Sequence, residues 1–159
     1  MNENEQIMNQ KLLDYQTSRL SNLISEIQKC CEYRRLYESK KFNLPIAELK
    51  CLMLFNGERY LTVKGIAQKL EVAKSRVTKL IQGLIDKGMV DRIEDPQDSR
   101  IKLISLTHAG VLLSEEVNDF KTTLHKKILM NMDLDERKNT ISYLELLRSS
   151  MEAVKESMG

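Results

Sequence analysis

The chain has 159 residues, 42% hydrophobic, 30% charged and 5% aromatic, which suits one domain or one domain with a long appended helix. That apolar fraction fills a core and excludes a wholly disordered chain, while the longest apolar runs, such as Cys51 to Phe55, fall far short of the ~18 residues of a membrane span. The formal charge of +2 hides a cationic window, because residues 62–82 carry five Lys or Arg (Lys64, Lys69, Lys74, Arg76, Lys79) against Glu71 alone, the footprint of a phosphate-binding face.

Residues 1–10 are polar and acidic without an apolar export core, so a cytoplasmic location is expected. In that reducing setting Cys30, Cys31 and Cys51 need no disulfides. No C-x-x-C pair occurs, and His108 and His125 stand seventeen positions apart, so neither a metal site nor a cofactor is expected. No nucleophile elbow, phosphate-binding loop or dinucleotide fingerprint occurs either, and the reading is of a protein that is not an enzyme.

Apolar residues recur at three or four positions from Gln6 to Lys40 (Leu13, Leu20, Leu23, Ile24, Ile27, Cys30, Cys31), which predicts one long amphipathic helix. Pro45 opens a second helix, since proline suits a first helical turn, and Asn56-Gly57 closes it. Thr62 is a good N-cap for a short helix with Ile66, Ala67 and Leu70 on one face, ending near Glu71. After the break at Val72–Lys74, Val77, Leu80, Ile81, Leu84 and Ile85 define the buried face of another helix, and Gly88 ends it. Met89–Glu94 and Ile101–Leu106 form a hairpin across a turn at Asp95-Pro96-Gln97-Asp98. Thr107 caps a long helix whose face is Leu113, Val117, Phe120, Leu124 and Ile128. Asp133 and Glu136 match a capping box for the last helix, whose stripe is Ile141, Leu144, Leu147, Met151 and Val154.

The expected fold class is mainly α with a small β-hairpin. A winged helix-turn-helix over 45–106 is flanked by long helices over 6–40 and 107–157, all within a single domain of 1–159. The stripe of the last helix exceeds what a small winged helix covers, so those long helices are expected to make a homodimer.

With the apolar face of the reader helix turned inward, its outward face presents Lys74, Ser75, Arg76, Thr78, Lys79 and Gln82. Arg or Lys reads guanine, Gln reads adenine and hydroxyls serve phosphates or bases, so this face suits the major groove of double-stranded DNA. Arg76 and Gln82 are the first candidates for bases, and Ser75, Lys79 and Lys64 for phosphates. On the wing, Arg100 is placed to enter the minor groove with Asp98 fixing its direction, and Lys102 adds a further cation. Cys30 and Cys31 lie on the apolar stripe with no motif that activates a thiolate, and are expected to be buried structural thiols.

The run from Leu61 to Gly110 closely resembles the MarR family of bacterial winged-helix transcriptional regulators. The resemblance lies in Ile66-Ala67 with Leu70, Ser75 with Val77-Thr78, Leu84 with Lys87-Gly88, Val90 with Arg92, the wing Asp95-Pro96-x-Asp98-x-Arg100, and Leu106-Thr107 with Gly110. It departs where Ala73 replaces a frequent capping Ser and Ser99 a second wing Arg. The resemblance implies a homodimer on a palindromic operator, and repression released by a small-molecule effector or by oxidation, for which Cys30 and Cys31 are the candidates. A winged-helix module that binds protein instead of DNA is the alternative, and it calls for an apolar or acidic reader face.

Overall fold

The computed structural model describes residues 3–94 and 102–158. Among the described residues, six α-helices, a short 3-10 turn and three strands follow in the order α1 (Glu3–Lys41), α2 (Ile46–Leu52), the 3-10 turn (Met53–Phe55), β1 (Leu61–Thr62), α3 (Val63–Leu70), α4 (Lys74–Asp86), β2 (Val90–Glu94), β3 (Lys102–Leu106), α5 (His108–Met130) and α6 (Leu134–Ser157). They fall into two compact units, residues 1–114 and 115–159.

In the first unit the caps foreseen from sequence are in place. Thr62 accepts a hydrogen bond from the Gly65 amide at 3.0 Å and starts α3. Glu71 ends that helix in the left-handed region at φ 54°, unusual for a residue with a Cβ, while its amide and that of Val72 bond back to Gln68 and Ala67. Gly88, at φ 68°, makes the turn out of α4 that a left-handed residue requires. The Thr107 hydroxyl donates to the Gly88 carbonyl at 2.6 Å and accepts from the Gly110 amide at 3.0 Å, tying the start of α5 to the end of α4.

The hairpin belongs to a larger sheet than the sequence suggested. Besides β2, strand β3 pairs antiparallel with β1, giving the order β1-β3-β2 with Leu61 opposite Ile104 and Val90 opposite Leu106. The core of the unit gathers Leu49, Leu52, Phe55, Ile66, Val77, Ile81, Leu84, Val90 and Ile104. Ile66, Ile81, Leu84 and Ile104 are wholly buried, and each such side chain stabilises by ~1.5–3 kcal/mol. The reader helix buries Val77, Ile81 and Leu84 completely, while Leu80 and Ile85 flank them half-buried.

The second unit contains most of α5 and all of α6. Asp133 accepts from the amides of Asp135 and Glu136 at 2.9 Å, and the Glu136 carboxylate accepts from the Asp133 amide, so both arms of the capping box are made. Helix α6 buries none of its residues, and Leu144, Met151 and Val154 expose half of their surface or more. On α5 Val117 is buried, Phe120 and Leu124 are half-buried, and Ile128 is exposed.

Helix α1 is longer than expected by a few residues and leaves its apolar stripe largely open, with Leu13, Leu20 and Ile27 exposed. The cysteines there depart from expectation for the same reason. Cys30 is exposed and Cys31 half-buried, and only Cys51, on α2, is a buried thiol.

Candidate nucleic-acid interface

The outward side of α4 is set by its buried one. At 3.6 residues per turn, the row opposite Val77, Ile81 and Leu84 is Ser75, Lys79, Gln82 and Asp86, all of them exposed. The row therefore carries one acid, Asp86, at its C-terminal end. Gln82 donates its amide to Asp86 Oδ1 at 2.8 Å, which fixes the direction of the Gln82 head while leaving its carbonyl oxygen outward as an acceptor.

Arg76 and Thr78 stand on the two flanks of that row. Arg76 belongs to the line Arg76, Leu80, Gly83 and Lys87, which faces α2, and it lines a cavity of about 300 Å³ with Ile46, Lys50, Leu70, Val72 and Leu80. Thr78 donates its hydroxyl to the Lys74 carbonyl at 3.0 Å, so the side chain offers lone pairs outward and no proton. Lys74 and Lys64 are exposed on the first turn of α4 and on α3. Ala73 occupies the N-cap of α4 and supplies no side-chain acceptor; the Arg76 amide donates to the Ala73 carbonyl at 3.0 Å, which leaves the Lys74 and Ser75 amides as donors for an anion. No acidic residue lies in that first turn.

On the wing, Lys102 is in register with Glu94 and hydrogen-bonds to it. That ammonium, by hydrogen bond first and by charge second, holds the Glu94 carboxyl below the usual carboxylate range. Lys102 is thus half-exposed but already paired, and a phosphate must compete with Glu94 for it. Asp98 and Arg100 lie outside the described residues. Two further cations were not assigned to DNA contact from sequence: Lys50 beside Arg76, and Arg92, exposed on β2 opposite Ile104. A surface lysine on α2 has no local signature, because only the packing of α2 against α4 brings it to this side. Among the described residues no group of His, Cys, Asp and Glu could hold a metal ion.

A short helix, a tight turn, a second helix with a polar outward row and a β-hairpin directly after it define a winged helix-turn-helix protein. The MarR family profile matches residues 42–101, which spans α2 to the wing. Over that stretch the chain is similar to the MarR family. It is 29% identical over 105 residues to the uncharacterized HTH-type transcriptional regulator YdgJ of Bacillus subtilis, covering 66% of this chain and 64% of that one. To the multiple antibiotic resistance protein MarR of Escherichia coli it is 27% identical over 103 residues, covering 64% and 71%. The match spans less than two thirds of the length of YdgJ and of the B. subtilis organic hydroperoxide resistance regulator, 64% and 62% respectively. Among solved structures, a point mutant of Staphylococcus aureus MepR superposes with a TM-score of 0.76 at 22% identity, over 82% of this chain and 97% of that one. A mutant of E. coli MarR complexed with operator DNA superposes with a TM-score of 0.66 at 23% identity, over 83% and 92%. These likenesses establish the fold.

Proposed function

We propose that this chain is a sequence-specific DNA-binding transcriptional regulator that acts as a homodimer on a palindromic operator, as a repressor released by a small ligand or by oxidation. The observation that carries the reading is the outward row of α4: Ser75, Lys79 and Gln82 project from a helix locked by three fully buried residues, with Arg76 and Thr78 on its flanks and Lys64 and Lys74 nearby. An apolar or acidic surface, as a protein-binding module needs, is not what this helix presents. The solved complex of E. coli MarR with operator DNA shows that a protein of this fold binds such a ligand.

In this reading Lys79 and Gln82 face the floor of the major groove, Ser75 and the uncapped amides of α4 meet a phosphate, and Arg76 reaches from the α2 side. Lys64 and Lys74 add phosphate contacts, and Arg100, steadied by Asp98, enters the minor groove. The exposed stripes of α1 and α6 support the homodimer, because a two-fold partner buries apolar surface that this chain alone leaves in water.

The test is selection of duplexes from a random pool, followed by affinity measurement across salt concentrations. With three or four phosphates neutralised per half-site, log K falls on log salt with a slope of about −5 to −7. A slope near zero, or no enriched sequence, overturns the reading.

A further inference from the structure

Glu48 is an acid on the apolar side of α2, only 8% exposed, and it faces the flank of the reader helix rather than water. Lys87, the C-cap residue of α4, places Nζ 2.9 Å from Glu48 Oε2 and 3.2 Å from Oε1, with the better-directed hydrogen bond going to Oε1. The same ammonium donates to the Gly83 carbonyl at 3.3 Å. Gly83 lies one turn before Lys87 on the same line of α4, and a Cβ added there would overlap Glu48 Oε1 and stand 3.1 Å from Cδ. Gly83 is thus small because the carboxylate occupies the place of its side chain. Three groups meet at one crossing of α2 and α4: a glycine that admits the carboxylate, the carboxylate itself, and an amine that holds it from the next turn.

We infer that Glu48 is the positioning residue of the reader helix, fixing the roll and slide of α4 against α2 through Gly83 and Lys87. The reason is geometric. Val77, Ile81 and Leu84 hold α4 by apolar contact, which tolerates small rotations. A charged hydrogen bond does not, since it weakens steeply with misdirection. An ion pair between a mostly buried carboxylate and a 39% exposed amine adds little net stability, because desolvation and screening offset the attraction, and its contribution here is to specify one register. A rotation of α4 by one third of a residue step swings the row Ser75, Lys79 and Gln82 sideways, and functional side chains misplaced by about 1 Å lose much of their effect.

The inference rests on the DNA reading above, and the experiment separates the two. The probe is a duplex enriched by the wild-type protein from a random library, with amide NMR shifts of Ser75, Lys79 and Gln82 as a readout that needs no DNA. Glu48→Ala, Lys87→Met and Gly83→Ala each shift those amides and each weaken binding about tenfold, while Glu48→Gln, which keeps shape and acceptor, stays within about threefold. Gly83→Ala costs nothing further in the Glu48→Ala background, because its methyl enters the space the carboxylate leaves. Lys87→Met and Glu48→Gln carry the test if Glu48→Ala does not fold. Equal cost of Gly83→Ala in both backgrounds, or wild-type shifts and affinity in Lys87→Met, overturns the inference. Failure of the wild type to enrich any sequence overturns the DNA reading instead, and the amide shifts of the same variants then decide whether Glu48 sets the position of α4.

Discussion

Cys51 on α2 allows the packing beneath the reader helix to be tested by pH. Its side chain is fully buried, and burial first, then the nearby Glu48 carboxylate, pushes the thiol up from 9.0 to about 11. The folded chain therefore keeps a proton that the unfolded chain releases between those two values. Stability from this group is fully present below pH 9 and is lost as pH rises toward 11, to a total of about 2–3 kcal/mol at 1.36 kcal/mol per unit. Between pH 8 and pH 10 the loss is about 1 kcal/mol. The assay compares urea unfolding of the wild type with that of Cys51→Ala across this range. Lysines and tyrosines titrate in both proteins and cancel in the difference. The wild type loses about 1 kcal/mol more than the variant, on top of a constant offset for the small cavity. At pH 8 the raised value also makes the thiolate about 100-fold scarcer, so in the native state alkylation takes Cys30 first and spares Cys51. Parallel pH curves for the two proteins, or equal alkylation of Cys30 and Cys51, would refute the reasoning.

Gly110→Ala places a methyl group onto the Met89 backbone carbonyl, which cannot swing aside as a side chain would, and is expected to lower stability by at least ~2 kcal/mol in urea unfolding; an unchanged midpoint would mean that α5 does not start against the end of α4. Asp133→Ala removes the side-chain arm of the capping box and costs ~1 kcal/mol, read from urea unfolding of the chain, where no change would show that the cap is idle. Lys64→Ala lowers the magnitude of the salt slope of DNA binding by about 2 per dimer, one phosphate per half-site, and an unaltered slope removes Lys64 from the phosphate contacts. Arg100→Ala weakens binding mainly on operators with A/T-rich flanks, where the minor groove is narrow; equal loss on both flank types would make Arg100 a plain phosphate contact.

The elements of this protein were legible because their signals are local. Thr62, Gly88, Thr107 and the pair Asp133 with Glu136 act on amides within a few residues of themselves, so the chain declares those helix ends before it folds. The spacing of Val77, Ile81 and Leu84 declares which side of α4 turns inward, and with it the exposed Ser75, Lys79 and Gln82. Tertiary structure decided what depends on a distant partner. Strand β1, two residues long, has no period to read and exists because Leu61 and Thr62 meet Ile104 and Leu103. Periodicity placed Cys30 and Cys31 on an apolar stripe, but whether anything covers that stripe is a property of neighbours, and in this chain Cys30 is exposed. Arg76 reads from sequence as one more outward cation, yet the approach of α2 puts it beside Lys50 at a cavity on the helix's flank. Glu48 and Lys87 stand 39 positions apart, and neither carries a mark of the other. Hydrogen bonds and side-chain spacing within one turn are fixed by backbone geometry alone, whereas a buried carboxylate finds its amine only when two helices have already been brought together by the apolar faces between them.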